Sequence, residues 1–424
     1  MQLWKHLIAA QPSEPRAGKS MPDSRKLTRR QVLQVGSGTA AGLALSHVLS
    51  DVAVAEPEHR PSRDSGAFDD HPVTLEEARQ RWRELGVVGD ERGTAALVTS
   101  KKTTRAIRNS LRGPRFRVYN MGEPMFPGVP AFATIPPRKF DYVITMYGPL
   151  GTNLLTVLEE RFPSMTFQIG TQVDQLNHIG IDDVYYGDFP ESEIVKFFEI
   201  QDPIARWERA RQDSDTGNYG PNSILGGTSR LGLEHLGPVV TRGVLLDVLG
   251  QKQATGQTDA LSADGETLAP TYRITIEDIE GAMDFGGIRR IERGDLVLFR
   301  TGWSKLWEDP SRWHEYLESE PGIWLAESRY LAQFRPVIVA SDTWGLEVVP
   351  APREGSAFEV HQVLITQEGI RIGEAFVSEE LAADGVYEFV FVDTPHRALG
   401  ATAANNLVAA IGTPRRRPGR GRSN

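Results

Sequence analysis

The segment Gly170-Thr171-Gln172-Val173-Asp174-Gln175-Leu176-Asn177-His178 concentrates residue types that bind cations. Gln168, Gln172, Asp174 and His178 stand at spacings of four, two and four, and Gly170 with Thr171 lets the backbone turn sharply between them. An extended run through Gln172 to Asp174 puts those two side chains on one face, and one helical turn onward brings His178 near Asp174. Four oxygen and nitrogen donors then converge on one point. Far downstream, a helix over Phe358 to Gln367 carries His361 and ends near Gly369, and a short strand, Ile370 to Glu374, follows. Alternation puts Glu374 on the face of Ile370 and Ile372, so a carboxylate points where the core lies and needs a partner. A metal shared with Asp174 and His361 supplies one. Spacing alone also fits an Asp–His pair on a helix surface, or a cap.

Such a centre needs a frame. Runs rich in Val, Ile, Leu or Phe predict strands at Val239 to Val248, Leu296 to Thr301, Pro336 to Ala340 and Tyr387 to Val392. Helical spacing recurs at Leu75 to Leu85, Thr94 to Arg112, Ile276 to Met283 and Gly322 to Phe334. From Arg117 to Pro149 prolines and aromatics predict extended segments and a long loop. The fold class is mixed α/β. Asp174 and Glu374 lie 200 residues apart, and one metal site cannot be divided between independently folding units. A single catalytic domain over 75–411 follows.

The ends read differently. Arg29 and Arg30 precede the weakly apolar run Val32 to Leu49, and Ala53-Val54-Ala55 supplies small residues for cleavage, so residues 1–55 resemble a twin-arginine export signal. Gly36, Gly38, Gly42, Ser46 and His47 break the run too often for a stable membrane anchor. The expected location after cleavage near Ala55 is periplasmic or extracellular, with the twin-arginine export machinery as a partner. Met21, eight residues before Arg29, is a second candidate initiator. Residues 56–74 read as a polar linker, and 412–424, with Arg415, Arg416, Arg417, Arg420 and Arg422 among Pro and Gly, as a disordered basic tail.

Composition excludes several classes. The 424 residues, 40% hydrophobic, can bury a large core without staples. The absence of cysteine removes thiol nucleophiles, Cys-ligated zinc and iron–sulfur clusters. Net charge is −9, and loss of seven Lys+Arg and three Asp+Glu through Ala55 leaves 40 − 53 = −13, which argues against nucleic acid as a partner. Gly36-Ser37-Gly38-Thr39-Ala40-Ala41-Gly42 echoes a dinucleotide loop but has no strand before it. No G-x-S-x-G elbow marks a serine hydrolase.

The segment from Gly170 to His178 resembles the signature of the cyclase or kynurenine formamidase-like family of metal-dependent hydrolases, roughly H-x-G-T-H-x-D-x-P-x-H. Thr241 to Asp247 and Gly294 to Trp303 resemble its core strands, and Ser341-Asp342-Thr343, Glu347, Pro350 and His361 to Glu374 its C-terminal half, in order. Gln172 stands where formamidase-type members carry histidine, Gln168 where they often do, and Leu176 replaces the usual proline. Larger family members share the glutamine.

The resemblance implies a swivelling β/β/α-type domain with a mixed sheet or barrel-like core, flanking helices and a homo-oligomeric assembly. It implies Asp174, His361 and Glu374 as metal ligands, Gln172 and Gln168 completing the site, and His178 as general acid/base. A divalent ion would acidify water while His178 carries the proton. An amide oxygen in place of imidazole weakens zinc preference, leaving zinc or manganese, with magnesium as a further option. The expected reaction is hydrolysis of a formamide or cyclic amide, of the arylformamidase kind. The alternatives are a lactone or ester at the same site, or an exported metal-containing binding protein without turnover. Asp342 and Glu347 beside Trp344 fit either a supporting role near the site or loop capping. Trp303 and Phe126 fit an apolar pocket or the core, and His235, His314 and His396 read as structural or exposed.

Overall fold

A computed structural model describes residues 65–111, 115–132, 137–194, 227–405 and 407–415. The export-type segment, the linker as far as residue 64 and the tail after Arg415 lie outside the described residues.

The strands are β1 (Arg117–Asn120), β2 (Phe140–Leu150), β3 (Leu155–Met165), β4 (Gln172–Asp174), β5 (Val184–Tyr185), β6 (Phe189–Pro190), β7 (Val239–Asp247), β8 (Leu296–Arg300), β9 (Ile338–Ser341), β10 (Arg371–Glu374), β11 (Glu388–Asp393), β12 (Ala403–Asn405) and β13 (Ala409–Gly412). Nine of them form one curled mixed sheet in the order β1-β13-β11-β7-β8-β9-β10-β4-β12. The run from β7 to β10 is parallel, and antiparallel strands flank it on both sides.

The central strands are buried on both faces, which is why they read as continuous apolar runs. Val244, Leu246, Val297, Phe299, Val339 and Ile372 pack in one core, with Trp82, Ile279, Leu331 and Leu364 from the helical layer. Leu245, Leu296, Leu298, Ile338, Phe389 and Phe391 fill the other. A third, smaller cluster of Phe140, Ile169, Trp303, Leu306, Trp307 and Tyr316 supports the turn before β4.

Local chemistry sets the helix limits. Thr74 and Glu77 form a capping box at the start of Leu75–Leu85, and left-handed Gly86 ends it. The helical pattern from Thr94 divides into a short 3-10 turn, Gly93–Leu97, and a helix, Ser100–Ser110, because the Thr99 hydroxyl caps Lys102 N–H and starts a new helix there. At the other end, β13 runs to Gly412, and Arg415 donates to the carbonyl of Gly286 and stacks on Tyr387, so the ordered chain continues past Ile411. A 3-10 turn at Ser65–Ala67 and the Asp70–Arg273 pair extend order ahead of Leu75.

Among the described residues, strands β2 and β3 pair only with each other, as a long ribbon outside the nine-stranded sheet. Its Val143, Ile144, Met146, Leu154, Leu158 and Phe162 are exposed.

Candidate metal centre

Strand β4 lies between β10 and β12, antiparallel to both. Its register sets Gln172 opposite Glu374 and Asp174 opposite Ile372. Residues two apart on a strand share a face, so Gln172, Asp174 and the cross-strand Glu374 point the same way.

The turn leading into β4 is held closely. Gly170 adopts φ +64°, and a β-carbon there would lie 2.6 Å from Met125 Sδ, so glycine meets both demands. The Thr171 hydroxyl donates to the Ala375 carbonyl at 2.6 Å and accepts from Glu123 N–H, while Asn405 Nδ2 donates to the carbonyls of Ile169 and Thr171.

His361 arrives from the helical side. Phe358 takes a left-handed conformation (φ 53°, ψ 40°), unusual for a bulky residue, and a three-residue α-turn, Glu359–His361, follows. The expected helix then continues as a π-helix, Gln362–Gln367, a widening found often at functional sites. Glu347 holds His361 Nδ1 at 2.6 Å, which turns Nε2 toward Glu374 Oε1 at 3.3 Å and Asp174 Oδ2 at 3.8 Å.

Asp174, His361 and Glu374 thus present one ligand atom each within 4.8 Å of one another, all buried. Both oxygens of Asp174 and Oε1 of Gln172 are buried without a hydrogen-bond partner, whereas Gln172 Nε2 donates to Glu374. Acceptor-only oxygens that converge beside an imidazole and accept no hydrogen bond fit a divalent cation, because a buried carboxylate without hydrogen bonds keeps much of its desolvation cost. Burial raises the Asp174 carboxyl to about 6, with His178 opposing and Glu374 adding to the rise. Burial works against charge on His361, yet its hydrogen bonds to Glu347 and Glu374 carry it to about 10.

His178 reaches the site by a tight turn closed by its N–H to the Gln175 carbonyl, not by the expected helical turn. Its Nε2 lies 3.5 Å from Asp174 Oδ2, and its Nδ1 3.5 Å from Gln168 Nε2. Enclosure lowers its pKa, with Asp174 opposing. The Gln168 amide is anchored on the Thr402 hydroxyl at 2.9 Å, so this glutamine borders His178, and no hydrogen bond joins it to the three clustered ligands.

Gln168, Gln172, His178, Glu347, His361 and Glu374 line one side of a cavity of about 600 Å³, within the range of small-molecule sites, while Asp174 is fully buried and is not part of its wall. Its apolar walls come from Phe132, Trp344, Val348, Val349, Pro350 and Phe358. Trp303 is fully buried in the small core, and Phe126 stacks on Trp313, so neither forms this wall. Asp342 caps the turn after β8, accepting from Thr301 and Gly302, while Glu347 lines the cavity. His235 pairs with Glu91, and His314 and His396 are exposed.

Sequence reasoning missed three contributors. Phe132 and Arg138 stand in the Pro-rich stretch without a motif to mark them. Glu320 is buried beneath the site, its Oε2 accepting from Trp344 and Gly345 N–H and its Oε1 unpartnered. Burial, with Glu374 nearby, pushes its carboxyl well above the usual range.

A family model described as putative cyclase matches residues 45–348. Among solved structures, the chain is similar to the crystal structure of a novel cyclase at 26% identity and a TM-score of 0.62, over 81% of this chain and 99% of that one. More distant likenesses include isatin hydrolase A from Ralstonia solanacearum (14% identity, TM-score 0.45, 70% of this chain and 92% of that one). Another is a predicted metal-dependent hydrolase from Bacillus stearothermophilus (18%, 0.38, 70% and 98%). No curated protein matches the chain.

Proposed function

This chain belongs to the cyclase family, and on that footing we propose that it is a metal-dependent hydrolase that opens the carbon–nitrogen bond of a formamide or cyclic amide. The observation that carries the reading is the buried cluster of Asp174, His361 and Glu374, in which both Asp174 oxygens lack a hydrogen-bond partner and His361 and Glu374 line an apolar cavity.

A divalent ion held by Asp174, His361 and Glu374, with the Gln172 amide oxygen as a further donor, would acidify water and polarise the substrate carbonyl. Glu347 fixes the His361 ring so that Nε2 faces the ligand cluster. The apolar walls exclude bulk water and hold the substrate's body. His178, at the cavity wall, takes a proton from the attacking water and returns it to the departing nitrogen, so that a formamide and water give formic acid and an amine, and a cyclic amide and water give one ring-opened product carrying both groups. The amide oxygen of Gln172 supports manganese or magnesium alongside zinc.

The paired arginines and Ala53-Val54-Ala55 support export with cleavage near Ala55, and the family resemblance supports a homo-oligomer. No helix among the described residues is long and apolar enough to cross a membrane.

The test is metal analysis of protein purified without added metal, followed by assays on an N-formyl aryl amide, a lactone and an ester. Stoichiometric metal with amide turnover, both lost in Asp174→Ala, is expected. Metal without turnover on any substrate would replace the enzyme reading by a binding protein, and an active Asp174→Ala would remove the site assignment.

A further inference from the structure

We propose that the cavity selects substrates bearing an anionic group, a carboxylate or its equivalent, beside a flat apolar ring, and that Arg138 binds that anion. The substrate part of this inference rests on the hydrolase reading above; the anion site itself does not.

Arg138 lines both the large cavity and the small recess that adjoins it, sharing Gln168, Gln172, Trp344 and Glu374 with both. A guanidinium carries five N–H donors. Among the described residues the protein engages it by a single hydrogen bond, Nη1 to the Gln168 carbonyl at 2.9 Å, and no carboxylate pairs with it. Arg242, Arg273 and Arg300 each meet two carboxylates, Asp295 and Glu388, Asp70 and Glu327, and Asp247 and Glu379; buried Arg371 has none, but it is tied to Gln175 and the Arg92 carbonyl, and Arg138 is the one of these that lines the cavity. An arginine left with open donors beside an apolar cavity is an anion receptor waiting for its anion.

Its placement is defined. The guanidinium lies 5.7 Å from the ring centroid of Phe132, which meets Trp344 edge-on at 4.5 Å. The positive charge therefore sits against the aromatic wall that would receive a ring. A ring lying along Phe132 and Trp344 would offer one substituent to the Asp174–His361–Glu374 cluster and another to Arg138.

The competing role is that of a clip, tying the root of β2 to the Gln168 loop. Formanilide and its three ring-carboxylated isomers separate the two roles. In Arg138→Met, KM for at least one carboxylated isomer that the parent protein accepts should rise about tenfold or more, with kcat little changed and KM for formanilide within about twofold. Arg138→Lys should recover part of the loss. Equal loss on formanilide and the carboxylated isomers, or no loss on either, overturns the proposal.

Calorimetry with benzoate and benzamide keeps the test independent of turnover. Parent protein should prefer benzoate, and Arg138→Met should lose that preference while keeping benzamide affinity. Metal chelation that abolishes the preference while Arg138→Met preserves it would assign the anion to the cation and overturn the proposal. If no formanilide is hydrolysed, the hydrolase reading falls, and the benzoate preference alone decides Arg138.

Discussion

Glu347 Oε1 lies 2.6 Å from His361 Nδ1, and this contact decides which nitrogen of the ring is offered to the cluster. A carboxylate behind a ligand histidine fixes its tautomer and raises its basicity, and loss of such a partner costs roughly 10- to 100-fold in metal affinity. Glu347→Ala should therefore bind metal about that much more weakly, and Glu347→Gln less so, in a competition titration against a chelator. Unchanged affinity in both variants would show that His361 is positioned by packing alone.

His178 stands beside the cluster without belonging to it. His178→Ala should keep stoichiometric metal while kcat falls on the order of 10²- to 10⁴-fold, the usual contribution of a general acid/base. Metal content by elemental analysis and turnover on the N-formyl aryl amide measure the two effects separately. Loss of metal in parallel with activity would make His178 a ligand.

Gln172 offers the cluster an amide oxygen rather than an imidazole nitrogen. Gln172→His should move the zinc-to-manganese affinity ratio toward zinc, by about tenfold or more, in paired competition titrations. A ratio that stays put would mean that residue 172 does not reach the ion.

Glu123 sets a pH dependence of stability. Burial, then the charges of Glu308, Asp342 and Glu379, raises its carboxyl from 4.5 to about 9 in the folded protein. Below the ordinary value the folded and unfolded chains both hold the proton. Between there and about 9 only the folded chain does, so unfolding releases a proton and stability falls as pH rises through that window. Glu123→Gln should remove this slope and leave the variant more stable at neutral and alkaline pH, by an amount on the order of a few kcal/mol. Melting temperatures of both proteins from pH 5 to 9 test it, and parallel curves would contradict the neutral carboxyl.

The parts of this fold that were legible in the sequence are those governed by local chemistry or by continuous burial. Leu75–Leu85 falls where it was expected because Thr74, Glu77 and Gly86 specify both ends. The parallel strands β7 and β8 start at the expected Val239 and Leu296, since a strand buried on both faces writes an unbroken apolar run. That Gln172 and Asp174 share a face was readable because strand alternation fixes it, whereas the pairing that sets Gln172 opposite Glu374 was not. The ribbon was less so: β3 carries Glu159, Glu160 and Arg161 among apolar residues and is exposed along most of its length, meeting the small core near its end at Met165, which blurs its period. Phe132, Arg138, Trp344 and Phe358 converge only through tertiary structure, and a π-turn after His361 has no sequence pattern to betray it.

Strand β4 is only three residues long and hydrogen-bonded on both flanks, to β10 and to β12. A single residue inserted between Gly170 and Asp174 would therefore put the Val173 methyl groups where the Asp174 carboxylate now stands, and a deletion would bring Gln175 there and turn Asp174 to the other face. The turn at the ribbon tip, residues 151–154, has no such constraint. Changes in chain length are thus admissible far from the chemistry and forbidden beside it. A diverging gene can retune this centre by exchanging side chains, as glutamine for histidine, but not by altering their spacing.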